Sequence, residues 1–337
     1  MKFKMIIKEI KLHERLFFGD EVVVITDKNK FSFKAEWTDD FVKKLNSKVS
    51  NFKIESGVDF QTLKEELNFM GENEYFIFER AIAMNINSLW SYFNPTPVQV
   101  PRPMSVVLEK NKGIKKFVVF SLNAKNFLGA LEANRHVSDS LRKQLKNFDS
   151  MKEEDLLMAI KEAIDKEHEI IDFELRIGVV FGNHENGKYV YSDRTLNDEE
   201  QHKFISKLID RYSVVYVENP FSEGNPFYKK LANNYRKSCL ICMNPSNGYG
   251  VKIDKKEFNT VFAKFSNLVN FKNDVDYWKD NRFNVIVDCN LDAMDAAVGL
   301  GIPLVRLFDN KNGEDVARKL VNVSEDVINS RMKSNRK

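Results

Sequence analysis

The feature that most constrains this chain is a series of short, predominantly apolar segments separated by amphipathic stretches. Leu175–Phe181, Val214–Val217, Cys239–Met243, Val285–Asp288 and Leu304–Leu307 are each four to seven residues long. Runs this short and this apolar are strands buried on both faces. Between them lie helical patterns: Phe127–Leu145, Glu153–Lys166 and Asp198–Arg211. The last begins with Asn197 as N-cap and Glu200 three residues on, a capping box. Phe117–Ser121 and Leu268–Phe271 are read as two further strands. Buried strands alternating with helices give a parallel α/β sheet or barrel, and seven or eight such units favour the barrel.

The first hundred residues have a different rhythm. Met5–His13, Glu21–Ile25 and Phe31–Glu36 read as an antiparallel meander, followed by a helix over Asn73–Tyr92. Residues 94–103 then hold four of the eight prolines, which excludes helix and marks a linker. The expected division is a small α+β domain over residues 1–95, a βα barrel over 96–330 and a basic tail over 331–337.

Composition narrows the function. Lysine and arginine number 52 against 49 acidic residues, a balance that argues against a nucleic-acid binder. No segment approaches the ~18 apolar residues of a membrane span, and the charged start lacks the apolar block of a signal peptide. A cytoplasmic protein is the expectation. Three cysteines, Cys239, Cys242 and Cys289, fit a reducing compartment. Cys239 and Cys242 are three apart on an expected strand and point to opposite faces, so they cannot grip one metal. No glycine-rich phosphate loop occurs, which leaves nucleotide binding without support. The histidines, His13, His136, His168, His184 and His202, show no metal-ligand spacing and are read as structural.

In a βα barrel, functional residues sit at the C-terminal ends of strands. The clearest is Glu218, directly after the apolar run Val214–Val217. Around it the chain resembles the enolases, most of all the archaeal form. Gly187-Lys188-Tyr189-Val190-Tyr191, Thr195 with Glu199-Glu200-Gln201, and Val217-Glu218-Asn219-Pro220-Phe221 match the family's G-K-Y-x-Y, T-x-E-E-Q and I-E-D-P-F. Pro101-Arg102-Pro103-Met104, Phe127-Leu128-Gly129-Ala130-Leu131 and Ala297-Val298-Gly299-Leu300-Gly301 match three more stretches. The resemblance covers most of residues 95–330.

The resemblance implies an enolase-type barrel, a metal-dependent removal of water from a phosphorylated hydroxy acid, two magnesium ions, one of them held by three carboxylates, and a lysine base. It also implies dimers or larger rings formed through the N-terminal domain. Matched residue by residue, the site departs from that pattern. Of the three metal carboxylates only Glu218 is retained; Val180 stands at one position, and the stretch Ile241–Pro245 offers no carboxylate at the other. Asn219 replaces the aspartate after the glutamate. The base of K-x-N-Q matches Lys272, Arg306 takes the place of a second active-site lysine, and Asp288 lies where the family has a histidine. Residues 146–152 replace the loop that carries the catalytic glutamate, and Lys116 replaces another glutamate.

Valine cannot ligate a hard cation, and arginine cannot act as a base near neutral pH. The expectation is therefore an enolase-like protein that has lost dehydration of 2-phosphoglycerate, with no resident cofactor. Lys116, Lys272 and Arg306 would form a basic, anion-binding mouth, and the fold would serve small-anion binding or protein assembly. Two alternatives stand beside it: an enzyme of altered chemistry working through Glu218, Lys272 and Asp288, and a divergent magnesium-dependent lyase of the enolase superfamily.

Overall fold

The computed structural model describes residues 4–13, 21–28, 30–84, 86, 100–182, 188–244, 256–265, 267–288, 293–307 and 311–334. The expected boundary near residue 95 lies outside them.

The N-terminal part forms a four-stranded antiparallel sheet, ordered β3-β2-β1-β4, from β1 (Met5–His13), β2 (Glu21–Thr26), β3 (Lys30–Lys34) and β4 (Lys53–Ile54). The three long strands fall where their apolar alternation predicts. Helices α1 (Asp39–Val49) and α2 (Gly57–Glu66), which the meander reading did not include, cover the sheet with α3 (Glu72–Met84). Thr38 caps α1 by accepting from the Phe41 amide, and Asp59 closes a capping box with Ser56 at the start of α2. Trp37 joins this layer by edge and tilted contacts to Phe33, Phe41 and Phe78.

The rest of the chain closes a barrel of eight strands. In order round the ring these are β5 (Arg102–Glu109), β6 (Ile114–Ser121), β7 (Leu175–Phe181), β10 (Val214–Glu218), β11 (Leu240–Met243), β12 (Thr260–Ala263), β13 (Asn284–Asp288) and β14 (Leu304–Leu307). A small hairpin, β8 (Tyr189–Val190) with β9 (Thr195–Leu196), lies outside the ring. The helices are α4 (Phe127–Gln144), α5 (Glu153–His168), α6 (Asp198–Tyr212), α7 (Phe227–Tyr235), α8 (Leu268–Asp280), α9 (Ala293–Gly299) and α10 (Lys311–Ser334). Among the described residues no helix is long and apolar enough to cross a membrane.

Three expectations need correction. The barrel is not wholly parallel: β6 runs antiparallel to both β5 and β7. The four residues between β5 and β6 are too few for a crossover, and Gly113, at φ +67°, turns the chain back as a hairpin. The apolar run at Leu268–Phe271 is the first turn of α8 rather than a strand, capped by the Asn267 side chain, which accepts from the Asn270 amide at 2.9 Å. The basic tail is no separate segment at its start, because α10 continues to Ser334.

The interior of the ring is filled by Met104, Val106, Val118, Phe120, Val180, Tyr216, Cys242, Phe262, Ile286 and Leu304. Gly178 makes room for the Tyr216 ring: a Cβ there would stand 2.7 Å from Val118 and 2.8 Å from Tyr216. This packed layer is the floor of the mouth, where the C-terminal strand ends converge.

Candidate functional site

Strand period decides which side chains face the mouth. Glu218 lies two residues beyond the inward-facing Tyr216, Asp288 two beyond Ile286, and Arg306 two beyond Leu304. These three meet. The Arg306 guanidinium donates from Nη1 to Glu218 Oε2 at 2.5 Å and from Nε to Asp288 Oδ1 at 2.7 Å. A longer bond of 3.3 Å joins its Nη2 to Asp288 Oδ2. The Tyr216 hydroxyl donates to the same Glu218 oxygen at 2.5 Å. Below, the guanidinium carbon stands 4.1 Å from the centre of the Phe262 ring, a cation–π contact.

Arg306 is 4% exposed and Glu218 2%, so the pair is out of water. Burial raises the Glu218 carboxyl above the usual carboxylate range, against the opposing pull of Arg306 and of the Tyr216 hydroxyl. Burial would lower the guanidinium, but Glu218 and Asp288 outweigh it and hold the arginine firmly charged. Two carboxylates thus compensate one buried cation, and the mouth centre is not a site of free positive charge.

In register, Glu218 pairs with Val180 of β7 on one side and Cys242 of β11 on the other. Neither offers the hard oxygen that magnesium requires. Burial pushes the Cys242 thiol well above its ordinary value, and it serves as interior packing. Asn219, at φ +49°, accepts on Oδ1 from the Asn244 amide at 3.0 Å, while its own amide donates to the Cys242 carbonyl. Its side-chain oxygen ties two strand ends together. Among the described residues no group of three His, Cys, Asp or Glu side chains could hold a metal ion. The described residues do not fit the three-carboxylate magnesium site that the resemblance implies.

Lys116 belongs to the same rim. Because β6 is antiparallel, its first residues lie beside the C-terminal ends of its neighbours, and Lys116 pairs in register with Val180. Its Nζ stands 3.5 Å from Glu109. Lys272 is not brought to the mouth. It lies on α8, outside the ring, with Nζ 2.5 Å from Asp276 one turn further along. The residue the sequence reading missed is Lys264, exposed and directly after β12. Lys264 lies two residues beyond the inward-facing Phe262; of the K-x-N-Q pattern it shares only the lysine. The signal was Thr260–Ala263, a strand only four residues long.

The residues that carry the sequence resemblance around Glu218 form its support. Tyr189 donates to Asp198 at 2.6 Å and Tyr191 to Gln201 at 2.6 Å, tying the hairpin to the start of α6. Gln201 then donates to the Pro220 carbonyl at 3.2 Å, two residues past Glu218. The segment 146–152 is also fastened. Lys110 donates to the Met151 carbonyl at 2.7 Å and pairs with Glu153 at 3.0 Å, both side chains fully buried.

A closed eight-stranded α/β barrel, with a buried glutamate–arginine pair and a partly exposed aspartate at the strand ends, defines the class of this molecule. No family model matches the chain. It is 27% identical over 220 residues to an enolase from Archaeoglobus fulgidus, covering 56% of this chain and 55% of that protein. It is 26% identical over 146 residues to an enolase from Natronomonas pharaonis, covering 38% and 37%. It is 28% identical over 94 residues to an enolase from Halorubrum lacusprofundi, covering 26% and 24%. The matched region thus spans about half the length of the first of these relatives and less of the others. The chain is a divergent, enolase-like relative.

Proposed function

We propose that this chain is an enolase-type barrel protein, with residues 1–95 as its N-terminal domain, that does not dehydrate 2-phosphoglycerate and has no resident magnesium. The observation that carries the reading is the Arg306 guanidinium bound to the one retained metal-ligand carboxylate, Glu218. The carboxylate's charge is already met from within the chain, and Val180 and Cys242 flank it. The fold then serves binding or assembly. Small-anion binding at the rim rests first on Lys264, since Arg306 is compensated, Lys272 pairs with Asp276 outside the ring and Lys116 already stands 3.5 Å from Glu109.

The test is formation of phosphoenolpyruvate from 2-phosphoglycerate at high magnesium, followed with purified protein. The expected result is a rate equal to the protein-free blank; magnesium-dependent turnover abolished by Glu218→Gln would overturn the reading. Calorimetric titration with a phospho-carboxylate, with and without magnesium, tests the rim. Magnesium-independent heat reduced in Lys264→Ala supports anion binding, and no heat under either condition leaves assembly as the role.

A second reading is favoured by Lys264 itself. An exposed amine directly after β12 would serve as the base in proton abstraction without a metal. Isotope exchange into 2-hydroxy and 2-keto acids in the presence of a chelator distinguishes it.

A further inference from the structure

A second buried carboxylate lies far from the mouth floor, where the N-terminal layer meets the barrel. Glu79 on α3 is 1% exposed. Its Oε1 accepts the amide hydrogen of Leu268, the first residue of α8. Its Oε2 is buried and has no hydrogen-bond partner. The nearby Tyr75 hydroxyl is directed elsewhere, donating to the Phe60 carbonyl at 3.0 Å. Beside it, Lys64 of α2 donates to the Asn270 side chain at 2.8 Å, a second link between the same two layers.

We propose that Glu79 is a proton-operated latch that holds the start of α8, Leu268 to Asn270, against the N-terminal layer when neutral and loosens it when ionised. A neutral acid in this pocket keeps the Leu268 bond and leaves its second oxygen unpaired without placing a net charge there. An ionised one is a buried charge whose Oε2 meets no donor, which costs more. Burial pushes the carboxyl up to about 7, outweighing the Leu268 amide, Tyr75 and Lys64, which all favour the charged form. Among the described residues, the titratable and charged groups facing it are Tyr75 on its own helix and Lys64 on α2. The facing turn of α8, Leu268 to Phe271, carries none.

The sign follows from the raised value. Released from the pocket, the carboxyl returns to about 4.5, so the latched state binds more protons. Its stability is complete below about 4.5 and is lost as pH rises towards 7. Glu79 touches no reacting group; it acts on the start of α8 through the Leu268 amide.

The experiment is amide hydrogen exchange of the full chain between pH 5 and 8, corrected for the intrinsic rate. Protection at Leu268 and Asn270 is expected to fall by up to about tenfold per pH unit between pH 5 and 7, then level off. Amides of β7 serve as the control and are expected to stay flat. In Glu79→Gln, which mimics the neutral form, the slope is expected to vanish. A flat wild-type profile at Leu268, or an unchanged slope in Glu79→Gln, overturns the latch. The wild-type comparison with β7 decides the matter even if the variant does not fold.

Discussion

The support behind β10 and the mouth in front of it have diverged differently from the same pattern. Behind, the tyrosines, Gln201 and the proline that match the archaeal enolases form one hydrogen-bonded chain, from Tyr191 through Gln201 to the Pro220 carbonyl. In front, Val180, Cys242 and Arg306 stand where the resemblance leads one to expect two carboxylates and a lysine. The retained residues aim Glu218 into the barrel; the replaced ones change what it meets there. A match in sequence can therefore report the scaffold and say little about the chemistry.

This contrast can be broken most forcefully at Arg306. Arg306→Ala leaves Glu218 buried with only the Tyr216 hydroxyl, and the expected loss is about 3–5 kcal/mol in urea unfolding at pH 7. The loss is expected to shrink at acid pH, because a protonated Glu218 no longer needs a counter-ion. Equal losses at pH 5 and pH 8 would mean that the pair is not the source of the effect.

Smaller effects are expected behind β10. Tyr191→Phe and Gln201→Leu each remove one end of a buried bond and are expected to cost about 1–3 kcal/mol. The double variant is expected to cost less than the sum, since both share that bond. Strict additivity in a double-mutant cycle would show that the two groups act separately.

Gly178→Ala sharpens the comparison from below. The added methyl meets Val118 and Tyr216 inside ordinary contact distance, and overpacking of this kind costs about 1–3 kcal/mol. Displacement of Tyr216 would also disturb Glu218, so loss of the Glu218-dependent pH profile is expected with the loss of stability. The smallest effect is at Lys272. Its pair with Asp276 is half exposed on a helix surface, and Lys272→Ala is expected to change stability by about 0.5 kcal/mol or less. It is expected to leave rim anion binding unchanged in calorimetry.

Much of the fold was legible in the residues. Leu175–Phe181 and Leu304–Leu307 are strands with the expected ends, and Asn197 and Glu200 form the expected capping box. Patterns of burial and caps are local, and local physics reads them. The direction of β6 is not carried by an apolar run, although the short link ending in Gly113 was a usable sign of a hairpin. The strand at Thr260–Ala263 is only four residues long, and its shortness hid Lys264 at its end. Leu268, Phe271, Val275 and Trp278 follow helical spacing, which a four-residue window at Leu268–Phe271 hides.

At the mouth, the individual replacements were legible but their arrangement was not. Arg306 and Glu218 are 88 residues apart, and nothing local in either segment announces the other. A reading by charge alone adds Arg306 to Lys116 and arrives at a basic mouth. The geometry instead sets Arg306 between two carboxylates.

The central claim is that the Glu218 carboxylate is occupied by a cation of the chain itself. Calorimetric titration of the wild type and of Glu218→Gln with magnesium tests it most directly. The account predicts no magnesium heat that differs between the two proteins. Binding in the wild type that disappears in Glu218→Gln would contradict it.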